Sequence, residues 1–168
     1  MVFLYFDSAG YYIFAMIHAV FQLLARLGYD HPIHPPATHI TIGLTVGTLV
    51  FGLVSVIFQR PRLKLTAWHC ALLATVSVIP TALLGVMDWL ERMHGQWIPT
   101  IIIKMILAGA LFVVLFVALF LGSGGEGEVA ATSGGVWRSP RAIVALCLYA
   151  VCFGLVTALG YFGATLVY

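Results

Sequence analysis

Charge is what this sequence has least of: six acids and eight Lys or Arg among 168 residues, 8% of the chain, against 62% hydrophobic residues. A net charge of +2, scattered along the chain, excludes a nucleic-acid-binding surface, which needs a concentrated basic stripe. Cysteine is scarce as well. Cys70, Cys147 and Cys152 all lie inside apolar runs without CxxC spacing, so they read as packing residues rather than disulfides or metal thiolates. No Ser/His/Asp nucleophile pattern, phosphate-binding glycine loop or HExxH helix occurs, and no catalytic activity of the chain alone is indicated. There is no internal repeat of the inverted-repeat transporter kind, and polar residues inside the apolar runs are too few to line an ion path. A small transporter or metal-handling protein is therefore the least favoured class. The first residues lack the basic region and cleavage site of a signal peptide and are expected to stay on the mature protein.

What the chain does have is apolar length. Mean hydropathy is +1.06, and several apolar runs approach the twenty residues that a membrane helix needs. Backbone amides in hydrocarbon must be satisfied within their own segment, and the runs show no period-two alternation of the barrel kind. The predicted fold is an all-α integral membrane protein, a bundle of five transmembrane helices made of a four-helix core plus one extra. The spans are expected at 11–27, 37–58, 65–90, 99–121 and 142–167, in one membrane domain with a flexible Gly/Ser-rich linker at 122–139. Residues 1–9, aromatic and apolar with one acid, can lie along the interface. Arg60, Arg62 and Lys64 surround Pro61, the densest positive cluster, and Arg138 and Arg141 flank the last span. The positive-inside rule puts both places in the cytoplasm, the N-terminus inside and the C-terminus outside.

Polar chemistry gathers at the other boundary. His34-Pro35-Pro36-Ala37-Thr38-His39 stands where a proline-stiffened loop becomes the second span, with Thr38 expected as its N-cap. His39, Gly43 and Gly47 recur every four residues, forming either a seam for a neighbouring helix or a slot for a planar ring hung from His39. Asp88 returns to this level, where it can bond to a helix end or pair with Arg92 at i+4. His94 follows in the next connection. Lys104, two turns into the fourth span, can snorkel to the interface, pair with Asp88, or hold an anionic group such as a quinone oxygen or a propionate. His18, midway along the first span with Gln22 one turn later, must find a partner of its own, because an unpaired polar group in hydrocarbon is costly. Trp89 and Trp97 are expected in the aromatic belt.

Two of these stretches carry a resemblance. His34-Pro35-x-x-x-His39-x-x-Ile42-x-Leu44 resembles the HPxxxHFPIAL helix start of a bacterial four-helix membrane family, domain of unknown function 2231, with Ile40 and Thr41 in place of its Phe-Pro pair. Leu84-Gly85-Val86-Met87-Asp88-Trp89 is similar to that family's TGLxDW ending, and the resemblance covers residues 31 to 121. Members often occur beside or fused to Rieske or cytochrome c modules. The resemblance thus implies a bacterial inner-membrane subunit of a respiratory or photosynthetic electron-transfer complex, with cytochrome or iron–sulfur subunits and the lipid bilayer as its partners. The expected cofactor is haem b or a quinone near the outer face. His39 is the first expected ligand and His34 or His94 the second, with Asp88 orienting one of them through its free ring nitrogen. Lys104 would meet a propionate or quinone oxygen, and His18 is a further candidate in the membrane core. For a metal ion the expected ligands are His39 and His94. A cofactor-free structural or assembly subunit is the competing expectation.

Overall fold

In the computed structural model, residues 8–122 and 140–164 are described, and they form five helices without a strand among them. These are α1 (Ser8–Arg26), α2 (His34–Phe58), α3 (Pro61–Met93), α4 (Pro99–Gly122) and α5 (Pro140–Ala164). The all-helical expectation holds. Prolines open α2, α3, α4 and α5, where a missing amide leaves no intrahelical bond unmade. The stretches expected at residues 1–7, the linker over 123–139 and the last residues of the fifth span lie outside the described residues.

Four helices, α2 to α5, are long and apolar enough to cross a membrane. In α1 the apolar helical stretch, Tyr12–Arg26, is shorter. Each of α2 to α5 packs against two others, in the ring α2, α3, α4, α5 and back to α2, while α1 touches α3. One end of this bundle carries the starts of α2 and α4 and the ends of α3 and α5, and is named here the His34 end. The other, the basic end, carries Arg60, Arg62, Lys64 and Arg141.

Small residues let the helices approach closely. Along α2 the buried face is Thr41, Thr45, Thr48, Gly52 and Ser55, and along α3 it is Ala67, Ala71, Ala74, Thr75 and Val78. In lipid, where there is no hydrophobic drive between helices, such faces associate by van der Waals contact and hydroxyl bonds. Thr41 Oγ1 lies 3.0 Å from both Ser77 Oγ and Thr81 Oγ1. Thr45, Thr48 and Ser55 return their hydroxyls to carbonyls of their own helix, so these buried groups are satisfied. Two apolar layers complete the core. Ala67, Ala71, Ala118, Ala142 and Tyr149 pack toward the basic end. Ala74, Val78, Leu111, Leu115, Cys152 and Val156 pack toward the His34 end.

Of the glycines expected to form a seam, Gly47 faces α3, where a Cβ would meet Cys70 Sγ at 3.5 Å, while a Cβ at Gly43 would meet nothing within 4 Å among the described residues. The α2–α3 contact runs mainly through the threonine and alanine faces. Hydroxyl-bearing residues that bond back to their own helix pack as small residues, which the spacing of glycines alone did not reveal.

Candidate functional site

The His34 end gathers side chains from several helices. At the start of α2, Pro35 and Pro36 have no amide hydrogen, so few donors remain to be capped, and Ile33 at the N-cap offers no side-chain acceptor. Asp88 of α3 supplies it. Its Oδ2 accepts the His34 N–H at 2.7 Å and its Oδ1 the Ile33 N–H at 3.2 Å. A carboxylate at a helix N-terminus also meets the positive end of the helix dipole. Of the two expectations for Asp88, the bond to a helix end is the one present. Thr38 is not the cap: its Oγ1 donates to the Pro35 carbonyl at 2.6 Å, because the helix begins four residues before it.

The His34 ring is fixed separately. Its Nδ1 lies 2.9 Å from the Thr81 carbonyl, and a carbonyl only accepts, so Nδ1 carries the hydrogen and Nε2 of the neutral ring keeps its lone pair. Asp88 therefore orients His34 through the backbone amide, and the ring is oriented by Thr81. The ring rests on Gly85, where a Cβ would stand 3.0 Å from its Nδ1 and Cε1. Space favours glycine here, since a methyl group would press on the ring. Lys104, half-buried on α4, lies within electrostatic range of Asp88 and His34. Its Nζ is 3.9 Å from where a Cβ on Gly163 of α5 would stand. His34, Asp88 and Lys104, all expected site residues, are thus brought together.

His39, His94 and His18 are not part of that group. His39 is exposed on α2. His94 is exposed and ends α3 in a left-handed conformation, φ 50°, while the Gly95 N–H reaches the Trp89 carbonyl at 3.3 Å. Among the described residues no three His, Cys, Asp or Glu side chains gather as metal ligands, so the pair expected to hold a metal, His39 and His94, has no third such ligand there. His18 has the partner that sequence reasoning missed: its Nδ1 lies 2.8 Å from Glu91 Oε1, and Gln22 Nε2 lies 3.2 Å from its Nε2. Glu91 Oε2 is buried without a hydrogen-bond partner among the described residues. The signal for Glu91 was its place one turn beyond Asp88, on the same side of α3. Arg92 lies over the Phe21 ring, 5.9 Å from its centroid, and 4.0 Å from Asp30 Oδ1, rather than against Asp88. The Trp89 and Trp97 rings meet at this end, tilted by 59° with 4.7 Å between their centroids.

Haem and quinone make different demands on these groups. Of the six histidines, His34 is half-buried and the other five, His18, His31, His39, His69 and His94, are exposed. A bis-histidine haem enclosed between helices of one chain does not fit that arrangement. A quinone head group fits better, since it needs a donor for a carbonyl oxygen and an acceptor for a hydroxyl. Lys104 and His34 Nε2 provide one of each.

A family model described as "Predicted membrane protein (DUF2231)" matches residues 30–168. The match takes in α2 to α5 and leaves out α1, so it reaches further than the motif-bearing stretch and includes the last helix. No curated protein and no solved structure matches the chain.

Proposed function

The chain belongs to the DUF2231 family of predicted membrane proteins, and from that premise we propose that it is a membrane subunit of a bacterial electron-transfer complex with a quinone site at the His34 end. The observation that carries this reading is the His34 ring. Its Nδ1 is committed to Thr81 and its Nε2 is left as an acceptor, within electrostatic range of the half-buried Lys104. Lys104 would donate to a quinone carbonyl oxygen, and His34 Nε2 would accept from a quinol hydroxyl. Asp88 holds the backbone of His34 in place and balances the charge of Lys104. With the basic end in the cytoplasm, as the positive-inside rule has it, the site faces the outer side of the membrane, within reach of cytochrome or iron–sulfur partner subunits.

The purified protein, titrated with a short-chain ubiquinone, is expected to bind it saturably, and Lys104→Met is expected to weaken binding about tenfold, the loss of one charge-assisted hydrogen bond. A dithionite-reduced minus oxidised spectrum checks haem in the same preparation. Absence of quinone binding together with absence of a Soret band would leave the second reading, a cofactor-free assembly subunit. The open face of α2 around Gly43 favours that reading, because among the described residues nothing lies within 4 Å of where a Cβ would stand there.

A further inference from the structure

The geometry points to α1 as a helix that lies in the membrane interface at the His34 end and docks its apolar stripe on lipid, rather than crossing the bilayer as a fifth span. Position comes first. The nineteen residues of α1 amount to about 28 Å of helix, barely the roughly 30 Å of a hydrocarbon core, so spanning would require its centre at the midplane. That centre is tied elsewhere. His18, next to the central residue Ile17, bonds Glu91 at 2.8 Å, and Phe21 lies beneath Arg92. Glu91 and Arg92 are at the very end of α3, beyond Asp88. The stretch of α3 between Lys64 and Asp88 holds no Asp, Glu, Lys or Arg and is about 34 Å long, which fills the hydrocarbon by itself. His18 therefore sits at headgroup level, and half of α1 extends about 14 Å to either side of it. It cannot reach the opposite face.

Pattern comes second. Ile13, Met16, Val20, Leu23 and Leu27 follow one another at helical spacing on one face and are 38 to 74% exposed. His18, Gln22 and Arg26 share the opposite face, four residues apart. Between the two lies the side that touches α3, with Ile17 buried. An exposed apolar stripe backed by a polar one, held at headgroup level, is the arrangement of an interfacial helix, whose apolar face enters about 5–10 Å below the headgroups. A spanning helix would instead place His18 and Gln22 in hydrocarbon. Its partner is the lipid surface.

The two placements differ in sidedness. With α1 in the interface, four spans remain, and a tag joined ahead of Met1 and a tag joined after Tyr168 lie on the same side. With α1 spanning, they lie on opposite sides. The full chain in sealed vesicles, probed at both tags with a membrane-impermeant reagent, is expected to show both tags labelled together or protected together. Labelling of one tag alone would overturn the proposal. Spin labels at Met16 and Leu23 in proteoliposomes of phosphatidylcholine and phosphatidylglycerol are expected to report shallow contact with acyl chains. Water-like accessibility at both, or burial against a protein partner, would also overturn it.

Discussion

The Asp88 carboxylate and the His34 backbone amide meet at 2.7 Å across 54 residues of chain. The start of one helix is thereby capped by the end of the next, and the two recognised motifs become one contact. Gly85 seats the imidazole and Thr81 fixes its Nδ1, so the last turns of α3 are shaped to the first residue of α2.

Replacing Asp88 tests the cap. Asp88→Ala removes the acceptor of two amide donors at a helix N-terminus and is expected to destabilise the bundle by about 2 kcal/mol. Asp88→Asn keeps one oxygen and loses the charge, and should lie about midway. Thermal unfolding in detergent, followed by circular dichroism, reads both. Equal stability of Asp88→Ala and wild type would mean that the contact contributes nothing.

Two glycines should respond in opposite ways. A methyl group at Gly85 would stand 3.0 Å from the His34 ring, so Gly85→Ala must displace the imidazole and is expected to cost about 1–3 kcal/mol. Its second effect is chemical: nitrogen NMR of the labelled histidine should show the Nδ1–H form of wild-type His34 giving way to a mixture of tautomers. Gly43→Ala meets nothing within 4 Å and should leave the monomer as stable or more so, by up to about 1 kcal/mol. If the Gly43 variant instead dissociates a purified complex while leaving the chain folded, its face is the seat of a partner.

The hydroxyl contacts between α2 and α3 are individually small. Thr41→Val removes links to Ser77 and Thr81 with little change of shape, and a loss of about 0.6 kcal/mol is expected, the usual size of an interhelical hydrogen bond in lipid. A loss beyond about 2 kcal/mol would show that the seam acts as one cooperative network.

His18→Ala should free α1 without unfolding the rest. Glu91 then loses the partner of Oε1, and α1 loses the hydrogen bond that ties its centre to the end of α3. Hydrogen exchange of the α1 amides is expected to speed up about tenfold, with the melting of α2 to α5 unchanged. Unaltered α1 exchange would show that the His18–Glu91 contact does not hold the helix.

Sequence by itself determined the class of the molecule, and the reason is solvent. Apolar runs of twenty residues permit helices and little else, prolines mark their starts, and the basic turn around Pro61 marks one end. It also singled out His34, Asp88 and Lys104, since polar groups at a lipid boundary are rare enough to stand out. Tertiary structure decided what each of them does. The spacing of His34 and His39 could not say that one ring turns inward onto Gly85 while the other faces out, because orientation depends on the helix packed opposite. Glu91 acquires its partner only where α1 places His18 beside it. The face of α2 that packs is its threonine row with Gly52 rather than the exposed side at His39 and Gly43, because hydroxyls satisfied within their own helix behave as small groups. Only the assembled bundle reveals which row meets another helix.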